Sequence, residues 1–324
     1  MEVQPEVAVA AALLRAGRLV AFPTETVYGL GADATNPQAV RRIFAAKGRP
    51  SGHPLIVHFA DPVELERWGT NVPDAARRLA AAFWPGPLTL IVERGPGLSD
   101  EVTGGRATVG LRVPDHPLAL ALLAEVALPL AAPSANRFGR VSPTTAQDVR
   151  AELGDRVDLV LDGGPCAVGV ESTIVEFGAP GTAPLLLRPG GVPAEAIEAV
   201  LGAALQRNDL GPARASGMLA SHYAPSVPVE VLTGTALLAQ AAALVQQGRR
   251  VGLVAYSVDA PPGTLLVARP ADDASYARSL YRSLRDADEA GLDVLLVEAP
   301  PEQGLGLAVL DRLRRAAEPR PMKE

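Results

Sequence analysis

Residues 19–26 read LVAFPTET, a β-rich run of four residues followed directly by Pro23 and the hydroxyl residues Thr24 and Thr26. Hydroxyl residues stand at one end of a β-rich run in two further places. PSAN at 133–136 follows the run 128–132, and EST at 171–173 stands at the start of a run that extends to 177. Hydroxyls and backbone N–H groups at strand ends are a usual means by which α/β folds bind anions and small polar ligands. These segments therefore predict an α/β protein with a ligand site at the ends of its strands.

Outward from these segments, short β-rich runs alternate with helical patterns from the start of the chain to about residue 205. This alternation, with many Gly and Pro turns, is typical of one large sheet covered by helices. We predict an N-terminal α/β domain over 1–205 with a mixed, twisted sheet. Its predicted strands are 19–22, 54–59, 88–93, 107–113, 128–132, 157–161, 172–177 and 184–188. Its predicted helices are 37–47, 62–68, 74–83, 117–126, 145–153 and 193–205.

A second α/β alternation follows a segment that lacks apolar periodicity. Residues 206–226 read QRNDLGPARASGMLASHYAPS, which is typical of a linker or a functional loop. Beyond it we predict a small Rossmann-like parallel α/β/α domain over 227–324. Its predicted strands are 227–232, 251–256, 265–268 and 294–298, and its predicted helices are 236–247, 273–290 and 305–317.

The composition limits the class of protein. The chain has 324 residues, 48% of them apolar, so it can bury a large core and suggests about two domains. A net charge of −6 without a run of Lys or Arg gives no electrostatic reason to expect a nucleic-acid or membrane binder. Cys166 is the single cysteine, no secretory signal pattern is present, and the apolar stretch 118–130 carries Glu125 and is too short to cross a bilayer. We expect a cytoplasmic protein without membrane contact.

Lysine usage singles out one position. Of the 30 basic residues only Lys47 and Lys323 are lysines. A compact ammonium differs from a guanidinium fork in the ligands it suits. Lys47 is also the last residue of a predicted helix that begins after Asn36 and ends before Gly48. A positive charge at the end of a helix stabilises it. Both a ligand-binding role and a helix-ending role are therefore open.

Two predicted strands carry polar residues at alternate positions. In 107–113, Thr108 and Arg112 share one face, and Arg112 either presents its guanidinium to a carboxylate or phosphate or lies on a solvated face. In 54–59, His58 is either a structural or a functional residue. The sequence holds no Cys/His cluster with metal-ligand spacing, no P-loop and no Gly-x-Ser-x-Gly motif. The residues suit positioning and charge neutralisation better than covalent catalysis.

The motifs as a set resemble those of the YrdC-domain threonylcarbamoyl-AMP synthases, in the same order along the chain. Two further segments, SGM to SHYAP over 216–225 and DRLRRAA at 311–317, resemble the long, two-domain form, so the resemblance covers almost the whole chain. The motifs of the first domain are FPTETVYGLG at 22–31, KGRP at 47–50, HPLIVH at 53–58, WPGPLT at 84–89, PSAN at 133–136 and EST at 171–173.

The resemblance implies the conversion of L-threonine, bicarbonate and ATP to L-threonylcarbamoyl-AMP and pyrophosphate, with Mg²⁺ on the triphosphate and no metal held by the protein. It implies that Lys47 and Arg49 hold the phosphates and are the catalytic residues. The implied ATP-binding residues are Lys47, Arg49, His53, Thr108, Ser134, Ser142, Arg188 and Tyr223. The implied threonine-binding residues are Thr26, His58, Arg112, Ala132 and Ser172.

The resemblance also implies partners. The product would feed the threonylcarbamoyladenosine modification of tRNA through a separate tRNA threonylcarbamoyl transferase, and whether the chain also contacts tRNA itself is left open. We predict that 206–226 acts as a lid over the nucleotide end of the site. Two alternatives are a double-stranded RNA or tRNA-binding module and a carbamoyl-transfer domain of the hydrogenase-maturation type. The net acidity argues against the first, and the missing acylphosphatase and zinc-finger modules argue against the second.

Overall fold

The computed structural model describes residues 4–178, 181–207 and 223–318. These residues divide into two compact units. The first contains 4–138, 142–167 and 171–207, and the second contains 139–141, 168–170 and 223–318. The domain boundaries at 205/206 and 226/227 remain predictions, and most of the predicted lid, 208–222, lies outside the described residues.

The first unit is built on a mixed sheet in the order β11-β10-β9-β5-β6-β3-β7-β2-β1-β8, with β4 added alongside β5. Three of its strands differ from the sequence prediction: the glycine-rich β2 and the short β4 were not expected, and β11 occupies the start of the predicted linker. The strands are β1 Val20–Phe22, β2 Gly29–Asp33, β3 Ile56–His58, β4 Gly69–Thr70, β5 Leu88–Arg94, β6 Thr108–Arg112, β7 Leu130–Ala131, β8 Leu159–Val160, β9 Thr173–Glu176, β10 Leu185–Arg188 and β11 Gln206–Arg207.

Helices of the first unit pack on this sheet and enclose its apolar core. The predicted helix at 62–68 is a 3-10 turn followed by the short helix α3, and α1 and α5 were not predicted. The helices are α1 Pro5–Arg15, α2 Pro37–Lys47, α3 Leu65–Trp68, α4 Asp74–Phe83, α5 Asp100–Thr103, α6 Pro117–Val126, α7 Ala146–Leu153 and α8 Ala194–Leu201.

Strand directions bring several polar residues to one edge of this sheet. β3 and β6 are parallel with His58 opposite Arg112, so the carboxyl ends of both strands meet. β5 is antiparallel to β6 and parallel to β9, so the starts of β5 and β9 lie at the same edge. Thr89, Ser172 and Arg112 therefore lie side by side there. β10 is antiparallel to β9 and ends at this edge with Arg188.

The second unit has a parallel four-stranded sheet in the order β12-β15-β13-β14. Helix α9 packs Leu237 and Ala241 on one face of the sheet. Leu295 and Val297 point to the opposite face and are also buried, and α10 and α11 pack against each other. The predicted fold class is confirmed. The elements are β12 Val229–Leu232, α9 Gly234–Gln246, β13 Val251–Val254, β14 Leu265–Ala268, α10 Asp273–Glu289, β15 Val294–Glu298 and α11 Gly304–Ala317.

Candidate active site

The last residue of α2 supplies a buried ammonium group. Asn36 caps the start of the helix by accepting hydrogen bonds from two first-turn N–H groups, and Gly48 ends it in the left-handed conformation. This fixes Lys47 in the last turn, where its side chain is almost fully buried. Its Nζ donates to the carbonyl oxygen of Asn136 (2.5 Å) and to that of Ser134. The predicted PSAN segment is therefore joined to the end of α2.

The charge of Lys47 is poorly compensated by the protein. Burial, together with the nearby Arg49 guanidinium, holds the pKa of Lys47 well below its usual range, and Glu152 opposes this shift. Two carbonyl oxygens carry only partial charge, so an anion placed at Nζ would restore the charged form. The site is therefore prepared for an anionic ligand.

Arg49 extends this cationic region, and His53 adjoins it. The N–H of Phe138 donates to the carbonyl oxygen of Lys47 (2.8 Å), which brings the Phe138 ring beside both residues. The Arg49 guanidinium lies 5.9 Å from the ring centroid, and the His53 ring meets it edge-on with centroids 5.7 Å apart. Burial lowers the pKa of His53, and the guanidinium groups of Arg49 and Arg106 lower it further. We call Lys47 and Arg49 the cationic cluster, which His53 adjoins.

Arg112 ends β6 with a buried side chain that three acceptors hold in place. Its Nε donates to the carbonyl oxygen of Gly86 (3.2 Å), and its Nη2 donates to Glu25 Oε1 (2.6 Å) and Thr26 Oγ1 (3.0 Å). Among the residues that the structure describes, Nη1 has no acceptor. A fixed guanidinium with donor capacity to spare suits recognition of a carboxylate. Glu25, which also accepts the N–H of Asp115 (3.0 Å), neutralises the buried charge.

His58 lies next to Arg112 because the two are opposite each other in register. Burial, aided by the Arg112 guanidinium, lowers the pKa of His58 to about 3, while the carbonyl groups of Ile56 and Leu130 act in the opposite direction. The imidazole is therefore neutral at physiological pH. Within the described part of the chain its Nδ1 has no hydrogen-bond partner. We call Thr26, His58 and Arg112 the carboxylate pocket.

Two further pairs of residues adjoin this edge of the sheet. Ser172 Oγ bonds Thr89 Oγ1 (2.8 Å) and accepts from Arg188 Nη2 (3.2 Å). Arg188 also donates from Nε (3.1 Å) and Nη2 (2.8 Å) to the carbonyl oxygen of Ser172. One residue earlier, Glu171 Oε1 accepts a hydrogen bond from Ser142 Oγ (2.7 Å). The segments around Ser142 and EST are thus joined by one buried hydrogen bond.

Three predicted site residues remain to be placed: Ala132, Thr108 and Tyr223. Ala132 is buried beside β3, where its N–H donates to the Ile56 carbonyl oxygen (3.0 Å). Thr108 begins β6, four residues before Arg112, at the opposite end of the strand. Tyr223 is buried in the second unit, with its ring centroid 5.5 Å from that of Tyr281. The roles predicted for the site residues, those of Thr108 and Tyr223 among them, remain predictions.

Three polar residues of this region were not assigned by sequence reasoning: Glu25, Thr89 and Glu171. Each hydrogen-bonds a predicted site residue, and each is buried. All three lie in the quoted motifs, directly beside apolar β-rich runs. A carboxylate beside a buried strand needs a buried hydrogen-bond donor. This requirement could have identified Glu25 and Glu171 from the sequence.

No group of three or more His, Cys, Asp or Glu residues within 4–178, 181–207 and 223–318 could hold a metal ion. Across the same residues, no helix has the length and apolar character required for a membrane span. Cys166 is buried, and burial raises the pKa of its thiol to about 12, so it is a poor nucleophile.

The buried neutral His58 makes stability depend on pH. The unfolded chain binds a proton at this residue below about pH 6.5, whereas the folded chain does so only near pH 3. Because the unfolded state binds more protons in this window, stability falls as pH falls from 6.5 towards 3, by up to about 1.4 kcal/mol per pH unit. We expect His58→Gln to remove this contribution, measured as the slope of unfolding free energy between pH 6.5 and 5 in urea titrations.

His53→Gln is the matched control for this experiment. It also removes one histidine from the unfolded state, but His53 is less buried and its pKa is less strongly lowered. We expect a smaller change of slope in that variant. An unchanged slope in His58→Gln would mean that the folded protein protonates His58 near its ordinary pKa.

The fold and the site together define a class: an α/β protein whose mixed sheet carries a buried guanidinium at the end of one strand, and whose helix α2 ends in a buried lysine. A family model described as "Telomere recombination" matches residues 12–190, and one described as "Threonylcarbamoyl-AMP synthase, C-terminal domain" matches residues 192–318. The threonylcarbamoyl-AMP synthase of Bacillus subtilis is 45% identical over 97% of this chain and 93% of its own length.

An archaeal relative supports the same assignment. The threonylcarbamoyl-AMP synthase of Pyrococcus abyssi is 41% identical over 96% of this chain and 94% of its own length. The crystal structure of P. abyssi Sua5 complexed with L-threonine matches with a TM-score of 0.88 and 41% identity, over 96% of this chain and 94% of that one. The chain belongs to the threonylcarbamoyl-AMP synthase family, which confirms the resemblance inferred from the motifs.

Proposed function

We propose that the chain converts L-threonine, bicarbonate and ATP to L-threonylcarbamoyl-AMP and pyrophosphate. The observation that carries this proposal is the presence of two different anion sites in one unit, the carboxylate pocket and the cationic cluster. Gly29, three residues after Thr26, bridges to Ser134, whose carbonyl oxygen accepts from Lys47. The two sites are thereby connected by a short path of bonded residues. The relative crystallised with L-threonine supports the choice of amino acid.

The carboxylate pocket would bind threonine through charge and hydrogen bonds. Arg112 Nη1 donates to the carboxylate, while Glu25 and the Gly86 carbonyl hold the guanidinium still. Thr26 Oγ1 and the neutral His58 ring are available for the hydroxyl and amine of the substrate. Ala132 and Ser172 complete the walls of the pocket. The buried surroundings would exclude water and so strengthen each of these contacts.

Carbamate formation comes first in the proposed reaction. The threonine ammonium loses a proton, its nitrogen lone pair attacks the carbon of bicarbonate, and water leaves, giving an N-carboxylate and one released proton. A nearby cation and a low-dielectric pocket both favour the neutral amine over the ammonium. Arg112 supplies the cation, and His58 stays neutral beside it.

Adenylation follows when a carbamate oxygen attacks the α-phosphorus of ATP. The bond from that phosphorus to the bridging oxygen breaks, and pyrophosphate leaves with the electron pair. Such a displacement requires positioning and charge stabilisation more than covalent help from the protein. Lys47 and Arg49 would hold the phosphates as the catalytic residues, with His53, Ser134, Ser142 and Arg188 as further ATP contacts.

Mg²⁺ would enter with the nucleotide. Glu25 and Glu171 are engaged by Arg112 and Ser142. Near the cationic cluster, the Glu152 carboxylate lies 3.9 Å from Arg137, and the other oxygen donors named here are hydroxyls and carbonyls, which fits a cation held mainly by phosphate oxygens and water. Bound in this way, Mg²⁺ would neutralise charge on the triphosphate.

The product is a reactive mixed anhydride, so another enzyme must consume it. We propose that a separate tRNA threonylcarbamoyl transferase does so in the cytoplasm, where tRNA and the three substrates are present.

Substrate dependence tests the proposed function. We expect pyrophosphate release to require threonine, bicarbonate and ATP together, and to stop when any one is omitted. Serine should react more slowly than threonine, and valine most slowly, by about tenfold to hundredfold, because it leaves buried polar groups unpaired. Equal turnover of valine and threonine would contradict the proposed pocket, and a salt-dependent tRNA complex without any ATP turnover would favour the RNA-binding alternative.

A further inference from the structure

Helix α10 presents one face whose contacts the proposed reaction does not explain. Ala277, Tyr281, Arg285 and Asp288 are spaced by four, four and three residues, so they lie on the same side of the helix. Asp288 accepts the N–H groups of Ser226 (2.7 and 2.9 Å) and of Val227 (2.9 Å), and Tyr281 packs on Tyr223. We call this side of α10 the clamp face.

The clamp face also holds two short segments from much earlier in the chain, 139–141 and 168–170, which belong to the second unit. Arg285 Nη2 donates to the carbonyl oxygen of Val141 (2.6 Å). Gly169 lies directly on the helix backbone: a Cβ at this position would be 2.5 Å from the Ala277 carbonyl oxygen and 2.5 Å from Arg278 Cα. Only glycine fits this contact, because real Cβ atoms do not approach backbone so closely.

Both segments lead without a break into the candidate active site. Val141 precedes Ser142, and Val170 precedes Glu171 and Ser172. Ser142 Oγ and Glu171 Oε1 are bonded to each other inside the first unit, and Ser172 bonds Thr89 and Arg188. The two site segments are therefore anchored from one side by buried bonds and from the other by their continuation into the second unit.

We propose that the clamp face of α10 is a positioning element of the active site, and that Gly169 and Arg285 are its positioning residues. They set the place of Ser142 and of Glu171 and Ser172 through the chain itself, without touching substrate. This inference rests on the proposed function because Ser142 and Ser172 are assigned there to ATP and threonine.

The carboxyl edge of the parallel sheet in the second unit is where a ligand of this unit would be expected, and it provides an independent argument. In parallel α/β sheets, ligands bind beyond the carboxyl ends of the strands. At that edge, Glu298 accepts the N–H groups of Tyr256 (2.6 Å) and Ser257 (2.7 Å), together with Ser257 Oγ. A side-chain carboxylate thus takes up the donors that an anionic ligand would use. This argues against nucleotide binding at that edge, so a second ligand site does not explain the contacts of the clamp face.

Gly169→Ala tests the close approach to α10, and Gly164→Ala is its matched control. Gly164 has nearly the same positive φ (+80° against +84°), but a Cβ there meets nothing within 4 Å. Backbone strain is therefore common to both variants, and the collision with α10 is confined to Gly169→Ala. We expect Gly169→Ala to raise the KM for ATP and the Kd for threonine by about tenfold to hundredfold, with Gly164→Ala close to wild type in both.

Arg285 gives a second test that does not depend on a glycine. We expect Arg285→Gln to raise the KM for ATP more than it lowers kcat, and Arg285→Lys to restore part of the loss because it keeps a donor for the Val141 carbonyl. Arg282→Gln is the control, since Arg282 lies on the same helix with an exposed ion pair to Asp286. Amide hydrogen exchange at 139–143 and 168–173 should rise in Arg285→Gln and not in Arg282→Gln.

The outcomes separate this inference from the proposed function. If the wild-type chain releases no pyrophosphate from threonine, bicarbonate and ATP, the proposed function is wrong, while the exchange measurement still reports on the clamp face. If the wild type is active and Gly169→Ala and Arg285→Gln match their controls in KM, Kd and exchange, the clamp face has no positioning role. A Gly169→Ala chain that fails to fold leaves the Arg285 series to decide.

Discussion

Replacing Lys47 by methionine is expected to lower the rate of pyrophosphate release by about tenfold to hundredfold, the value of one charge-assisted phosphate contact. Methionine keeps the unbranched stem and removes the charge. The same change removes a desolvated cation next to Arg49, whose presence in the folded state is itself costly. Thermal unfolding should therefore show a much smaller change than turnover does.

Two companion variants define what Lys47 contributes. Arg41→Met removes a cation from the same helix, but Arg41 is exposed and pairs with Glu101 (3.5 Å), so turnover should be unaffected. Lys47→Arg keeps the charge and adds a planar fork that is too large for a buried position, so activity should stay low. Near-wild-type turnover in Lys47→Met would leave Lys47 with the role of a helix-ending charge.

The ends of α2 and α6 were predicted from sequence to the residue, whereas α8 was predicted to run to 205 and ends at Leu201, before Gly202. In α2, Asn36 and Pro37 begin the helix and Gly48 ends it, and the structure has the predicted bounds. In α6, Pro117 occupies the first turn and the His116 side chain accepts the N–H of Leu118 (3.2 Å). Such signals are local, so a single sequence contains them in full.

Elements that depend on distant neighbours were missed. β2 reads GLGAD, with little β-propensity, yet it lies between β1 and β7 in the sheet. The Phe22 ring occupies the space above Gly31, where a Cβ would come within 2.8 Å of it. The strand exists because its glycines let an aromatic ring pack on the backbone, and this partner cannot be recognised from the local sequence.

The same distinction holds for the site. Alternation along β6 correctly placed Thr108 and Arg112 on one face. The two residues are nevertheless four positions apart, roughly 13 Å along the strand, so they lie at its opposite ends, and alternation alone does not bring them into one site. The pairing of Arg112 with Glu25 joins residues 87 positions apart. The periodicity of the sequence does not encode such a contact. The resemblance to a known family, which rests on the order of the motifs, did indicate that both segments belong to the site.

Removing Arg112 is expected to have the second large effect, on threonine binding and on stability together. Arg112→Met deletes the guanidinium and leaves Glu25 as a buried carboxylate whose ion-pair partner is gone. Loss of one partner of a buried pair costs about 3–5 kcal/mol. Calorimetric titration with threonine should also show binding weakened by about tenfold to hundredfold, because a charge-assisted bond to the carboxylate is lost.

A double variant separates the two effects. Adding Glu25→Gln to Arg112→Met removes the unpaired charge, so most of the lost stability should return, measured by urea unfolding. Threonine binding should not return with it, because the neutral amide introduced by Glu25→Gln supplies no charge opposite the substrate carboxylate. Arg94→Met is the control, since Arg94 ends the neighbouring strand β5 at the far edge of the sheet and pairs with the exposed Asp100. If the double variant binds threonine as tightly as wild type, Arg112 serves only to balance Glu25, and the substrate carboxylate must be held elsewhere.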